Sequence, residues 1–188
     1  MPRTRDLDEQ RLRISEAVWS ELAEHGNAGF TLRGVAARAG CTTGLVLHTF
    51  ADKRALLLHA RDLLHERTRA RIEAIEAAAS TPHDALRESL LQAVALTPEG
   101  LSEARVWVAF LAAAIDDEEL AERHRSGNRV FVARVERLLG DLPDVHARAL
   151  TLVSTIEGVN ALATGDPELY SPDAQRAIVD RALAAALS

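Results

Sequence analysis

Apolar side chains recur three and four positions apart along most of the 188-residue chain, the spacing that gathers them on one face of an α-helix. The two-residue alternation of β-branched residues that marks a strand is missing, so the pattern predicts an all-α protein. A first helix runs from Leu12 to His25, with Ile14, Ala17, Val18 and Leu22 on its inner face and Trp19 as core or contact, and Gly26 stops it. Thr31 is an N-cap for a short helix whose stripe is Leu32, Val35, Ala36 and Ala39; Gly40 then turns the chain, and Thr42 caps a second short helix from Thr43 to Phe50. Asp52 caps a long helix to about Ala79, striped by Leu56, Leu57, Ala60, Leu63, Leu64, Ile72 and Ile75. After the Thr81-Pro82 start signal, helices follow from Asp84 to Leu96 and from Glu99 to Ile115. The next begins at the acidic run Asp116–Glu119 and stops before Gly140; another runs from Asp144 to Thr164 and ends at Gly165; Ser171-Pro172 opens the last, to Leu187.

The two short helices carry the candidate chemistry. In the second, Val46 and Phe50 face inward, leaving Thr43, Gly44, Leu45, Leu47, His48 and Thr49 opposite, on a helix too short to be stable by itself. Helix, glycine turn, helix is the pattern that sets its second member in the DNA major groove. Thr31-Leu-Arg-Gly-Val-Ala36, Ala39-Gly-Cys-Thr-Thr-Gly44, His48-Thr-Phe50 and Asp52-Lys-Arg-Ala-Leu56 together resemble the N-terminal DNA-binding domain of the TetR family of bacterial repressors. The match runs without gaps over about Leu12–Leu57. It departs from the family at Cys41, where an apolar β-branched residue is usual, at Leu47, where a phosphate-touching tyrosine is usual, and at Thr49, where another aromatic is common. The resemblance implies a helix-turn-helix DNA-binding domain over residues 1–54, and an effector-binding and dimerisation domain over 55–188.

The DNA-facing set expected on this basis is Thr31, Arg33, Thr42, Thr43, Gly44, Leu45, Leu47, His48, Thr49 and Lys53. Thr43, His48 and Arg33 are assigned to base edges, and Leu45 to a thymine methyl. Thr31, Thr42, Thr49 and Lys53 are assigned to phosphate. Lys53 opposes the helix dipole at the start of its helix, a conflict that phosphate at that end would resolve. Arg3 and Arg5 form a short basic arm for a groove or, more simply, a solvated terminus.

Charge modifies this picture. The chain carries a net −6, unusual for a DNA binder, but residues 1–54 are net +1 and the remainder net −7. The acidic residues Asp6, Asp8, Glu9, Glu16, Glu21 and Glu24 precede the helix pair, whereas Arg33, Arg38, Lys53 and Arg54 lie in or beside it. A small positive face on an acidic body is the result, one that limits non-specific binding and leaves affinity salt-sensitive. The composition, 47% hydrophobic and 27% charged, is that of an ordinary soluble protein. A charged N-terminus and no apolar run long enough to span a membrane point to the cytoplasm.

Arg105-Val-Trp-Val-Ala-Phe-Leu-Ala-Ala-Ala114, His124-Arg-Ser-Gly-Asn128 and Ile156-Glu-Gly-Val-Asn-Ala-Leu162 resemble, more loosely, the C-terminal domain of TetR-family members grouped with the choline-responsive repressor of betaine synthesis. That implies a homodimer and a small-molecule effector, without specifying choline. Candidate pocket residues are Trp107, Phe110, Asn128, Phe131, Glu157 and Asn160, each with a structural rival in core packing or the dimer contact. Trp107 beside a carboxylate suits a cation. In the resemblance the last two helices pair across a two-fold axis: Ser154 and Gly158 allow close approach, and Ile178, Val179, Ala182, Leu183, Ala186 and Leu187 form an apolar face that would equally well face its own core.

An enzyme finds little support. His59 and His65 are six apart and diverge on a straight helix, so His59, Asp62, His65 and Glu66 make a poor metal site, and nucleophile-elbow, phosphate-loop and dinucleotide motifs are missing. The single cysteine, Cys41, excludes an internal disulfide and reads as a buried thiol rather than a redox sensor. Neither metal nor cofactor is expected. The reading is a dimeric repressor released from a palindromic double-stranded DNA operator by a small molecule; a helical adaptor that responds to another protein is the alternative.

Overall fold

The computed structural model describes residues 2–188, with side chains from Leu7 onward, so the Arg3 and Arg5 side chains lie outside the described set. The described residues form nine helices and no strand: α1 (Pro2–Gly29), α2 (Leu32–Arg38), α3 (Thr43–Thr49), α4 (Lys53–Ala78), α5 (Pro82–Gln92), α6 (Pro98–Ala114), α7 (Glu118–Leu139), α8 (Val145–Gly165) and α9 (Pro172–Leu187). They divide into two compact units, one ending at Arg67 and one from Thr68 to Ser188, and the division falls inside α4.

In the first unit, Ile14, Val18 and Leu22 of α1, Val35 of α2, Val46 of α3 and Leu56 of α4 are each at most 1% exposed. Four helices thus share one core. Truncating Leu22 or Leu56 to alanine at such sites costs about 2–5 kcal/mol. Gly26 leaves helical geometry (φ 59°, ψ −170°) where the sequence predicts a stop, although helical turns resume to Gly29. α1 begins well ahead of Leu12; Leu7, Asp8 and Glu9 are exposed there, and a helical turn without a buried face has no apolar period to reveal it. Trp19 is a contact between helices: its Nε1 donates to the Ala60 carbonyl at 2.9 Å, and the Arg67 guanidinium lies 4.7 Å from its ring centre. Ser15, fully buried on α1, meets His59 Nδ1 of α4 at 2.9 Å.

The second unit is built around α8, which packs against α6, α7 and α9. Its core joins Leu86, Leu90 and Leu91 of α5 to Val135 and Leu138 of α7, Leu152 and Ile156 of α8, and Val179 and Leu183 of α9. Thr81, Thr97, Asp117 and Ser171 cap their helices through side-chain oxygens, as the start signals require. Asp144, at φ 53°, precedes α8 without a capping bond. α5 stops earlier than its sequence predicts. Asn160 Nδ2 takes the carbonyl of Ala93 at 2.6 Å and Gln175 Nε2 that of Ala95 at 3.0 Å, so α8 and α9 satisfy backbone groups that a longer helix would have used.

The apolar stripe of α9 faces inward. Val179, Leu183 and Ala186 are buried in the unit's own core, and Ile178, Ala182 and Leu187 pack partly against it. Val179, Leu183 and Ala186 thus serve this core, the alternative that the sequence left open, while Ile178, Ala182 and Leu187 keep part of their surface exposed. On α8, by contrast, Leu150 and Leu162 are 42% and 52% exposed, and Ser154 between them is exposed as well.

Candidate nucleic-acid interface

α2 and α3 are shaped by their ends. The Thr31 hydroxyl accepts from Gly34 N at 3.0 Å and the Thr42 hydroxyl from Leu45 N at 3.1 Å, so each short helix starts with its cap made. Between them Gly40 (φ 64°) takes the left-handed conformation, and Cys41 N reaches back to the Ala36 carbonyl at 2.9 Å, closing α2. Cys41 is half-buried rather than enclosed.

α3 is anchored by Val46, and Phe50 follows it into the core, 6% exposed. Thr43, Gly44, Leu45, Leu47 and His48 are exposed together, and Arg33 of α2 is exposed as well. A Cβ at Gly44 would meet nothing nearer than the Thr42 hydroxyl at 3.8 Å, so the start of α3 presents a low, accessible surface. Having accepted the capping bonds, the Thr31 and Thr42 hydroxyls keep their protons for donation to an anion. Lys53 donates to the Phe30 carbonyl at 3.1 Å with its ammonium 4.6 Å from the Phe30 ring centre, leaving further donors on an exposed side chain. Asp52 accepts from Ala55 N at 2.7 Å and starts α4 as expected.

Two expectations change. Thr49 is half-buried: its hydroxyl donates to the Leu45 carbonyl at 2.8 Å and accepts from Gln10 Nε2 at 2.7 Å, so it is occupied within the protein rather than held out to phosphate. Arg38 does not add a bare charge to the helix pair. Its Nε donates to Glu21 Oε1 at 2.5 Å and its Nη2 to Glu24, because the acidic residues of α1, remote in sequence, fold directly against α2. The bonds to Glu21 and Glu24 push Arg38 up from its ordinary pKa, and the bond from Arg38 holds Glu24 below the usual carboxylate value.

Gln10 and Glu21 are therefore parts of this unit that pattern-reading passed over. Glu21 carried a signal, since it stands seven residues after Ile14, on the same apolar stripe, where a carboxylate is buried at 4% exposure. Gln10 carried none, since it precedes the Leu12 start that the apolar pattern gives the first helix.

The effector candidates are spread over three helices. Trp107 and Phe110 meet edge to face on α6 with ring centres 6.2 Å apart; Phe110 is buried and Trp107 half-buried. Phe131 packs into the second unit's core, Asn160 is tied to Ala93, and Asn128 stands exposed. Glu157 keeps exposed surface, yet the protein crowded around its carboxyl pushes its pKa up. Among the described residues no group of His, Cys, Asp and Glu is arranged to hold a metal, and no helix is long and apolar enough to cross a membrane.

The family model for bacterial regulatory proteins of the tetR family matches residues 14–60, which span the capped helix pair, and the model for the BetI-type transcriptional repressor C-terminal domain matches residues 82–188. The chain belongs to the TetR family. It is 28% identical over 185 residues to the HTH-type transcriptional regulator PksA of Bacillus subtilis, covering 95% of this chain and 90% of that one. It is 30% identical over 168 residues to the HTH-type transcriptional regulator BetI of Burkholderia cenocepacia, covering 87% and 81%. Among solved structures, a transcriptional regulator from Rhodococcus superposes with a TM-score of 0.89 at 29% identity, covering 94% of this chain and 95% of that one. A regulator from Saccharomonospora viridis in complex with choline superposes at 0.85 and 18% identity, covering 93% and 95%, a likeness of fold alone. As a TetR-family member with a BetI-type C-terminal domain, this protein is a helix-turn-helix DNA-binding transcriptional regulator, and the relatives it matches are named as regulators rather than as enzymes.

Proposed function

We propose that this TetR-family regulator is a homodimeric repressor that reads a palindromic operator with α3 and is released from it by a small molecule held in the helical C-terminal unit. The observation that carries the reading is the sidedness of α3: Val46 is buried while Thr43, Leu45, Leu47 and His48 are exposed on a capped helix. Thr43, His48 and Arg33 take base edges, Leu45 a thymine methyl, and Thr31, Thr42 and Lys53 phosphates. Gly44 and Leu47 complete the contact surface, and Thr49 orients the end of the helix.

Two copies related by a two-fold axis address half-sites about one helical turn, roughly 34–36 Å, or a multiple apart. Release requires the effector to bind more tightly to a state whose reading helices are wrongly placed than to the DNA-bound state. Trp107 with the Glu157 carboxylate suits a cationic effector, a chemistry in keeping with the choline bound by the Saccharomonospora viridis neighbour.

Selection of bound fragments from a random double-stranded DNA pool tests the core of this reading. An enriched inverted repeat is the expected result, and the recovered DNA then serves to screen quaternary ammonium compounds for release. No enrichment at low salt by folded protein overturns it.

A further inference from the structure

Helix α2 sits on α1 through a contact of unusual chemistry. The Glu21 carboxylate, on a side chain 5% exposed, lies against the backbone of Gly34, in the middle of α2. A Cβ built on Gly34 would stand 2.5 Å from the carboxyl carbon and 2.8 Å from Oε1, and closer still to Oε2, which no real pair of atoms tolerates. One turn further along α2, Arg38 closes over the same carboxylate, with Nε 2.5 Å from Oε1. Glu24 holds the far end of that guanidinium. The recess left by glycine and the counter-charge are thus supplied by α2 at an i, i+4 spacing, and α1 supplies the group that fits both.

We propose that Glu21 is a positioning residue for DNA reading: its carboxylate fills the volume that a side chain at 34 would take, and so sets the seat of α2 on α1. Arg38 then serves as a clamp inside the domain. The consequence for DNA reading passes through the Gly40 turn, because α2 packs directly against α3 and the turn between them is short. Gly34 is required for volume and not for backbone freedom, since its φ is not among the positive ones. A buried carboxylate held this way contributes little net stability but fixes one geometry over others. The inference rests on α3 being the reading helix.

The test is a double-variant cycle measured with DNA recovered by the wild-type protein. Gly34→Ala adds a Cβ to an occupied recess, and Glu21→Ala empties the recess. Each is expected to lower affinity for the recovered sequence by about 10-fold while changing affinity for unrelated DNA less than about 3-fold at the same salt. Combined, they leave one small group in the recess, and the loss is expected to shrink to within about 3-fold of wild type. Glu21→Gln keeps the shape and an acceptor for Arg38, and is expected to stay near wild type. Helical circular dichroism accompanies every variant: unfolding of a single variant with folding of the double one supports the coupling. Additive losses, an unaffected Gly34→Ala, or equal losses on both DNAs overturn the proposal. Failure of the wild-type protein to enrich any sequence is distinct, and removes the reading-helix assignment on which the proposal stands.

Discussion

Gln10 Nε2 donates to Thr49 Oγ1 across 2.7 Å, and Thr49 Oγ1 donates in turn to the Leu45 carbonyl, so α1 holds the last turn of α3 by a two-step relay. Gln10→Ala and Thr49→Val each break the relay at one step. Both are expected to weaken binding to the recovered operator by about 3- to 10-fold, with the double variant no worse than either single one. Independent, multiplying losses in a binding titration would return Thr49 to the list of phosphate contacts.

Arg33 and Lys53 are separable by salt. Arg33→Ala is expected to reduce specific binding more than non-specific binding, as loss of a base contact requires. Lys53→Ala is expected to weaken both alike and to reduce the slope of log affinity against log salt by about 1. Because Lys53 also bonds the Phe30 carbonyl and covers its ring, its removal should lower thermal stability by roughly 1 kcal/mol or less. An unchanged salt slope would leave Lys53 with that internal role only.

His59 links stability to pH. Burial, with the Arg11 charge second, holds it below its ordinary value and outweighs the opposing effect of Asp62; the ring packs on Phe50 with centres 5.1 Å apart. The folded state therefore prefers the neutral ring, and the unfolded chain binds the extra proton first. Stability is undiminished above the unfolded value of about 6.5, falls as pH drops below it, and levels off under the lowered folded value. Urea titrations over this range should show a shallower decline for His59→Gln than for wild type. Equal declines would mean that other groups carry the dependence.

Gly158 tests assembly. A Cβ there meets nothing within 4 Å in the protomer, and it lies one turn from exposed Ser154, with Leu150 and Leu162 on the same side of α8. Gly158→Leu is thus expected to leave the protomer folded and to raise the dimer dissociation constant by at least about 10-fold, since a helix crossing at close range has no room for the branch. Sedimentation velocity reads the result. An undisturbed dimer would move the two-fold contact away from this face.

The helices of this fold were legible where a buried stripe met a strong start or stop signal. Thr31, Thr42, Thr81 and Ser171 begin helices where expected, because a capping hydroxyl acts within three residues of itself. Trouble came from partners distant in the chain. The end of α5 depends on Asn160 and Gln175, 67 and 80 residues away from the carbonyls they hold, and no local pattern carries that information. The same holds for the helix pair. Its exposed face was readable from the spacing around Val46, but the neutralisation of Arg38 by Glu21 and Glu24 and the capture of Thr49 by Gln10 arise only once α1 lies against α2 and α3. The α9 stripe shows a further limit: periodicity says that a face is buried and is silent about which surface buries it.

Leu45 and Leu47, 37% and 46% exposed, put bare hydrocarbon on the face proposed to meet DNA. Water must leave both when a groove closes over them, and removing water from hydrocarbon lowers the heat capacity of the complex. The enthalpy of binding should therefore grow more favourable on warming, giving a van't Hoff plot that curves rather than a straight line. Polar residues at the two positions would flatten that curve. Temperature, alongside ionic strength, becomes a variable that sets how firmly this helix is held in its groove.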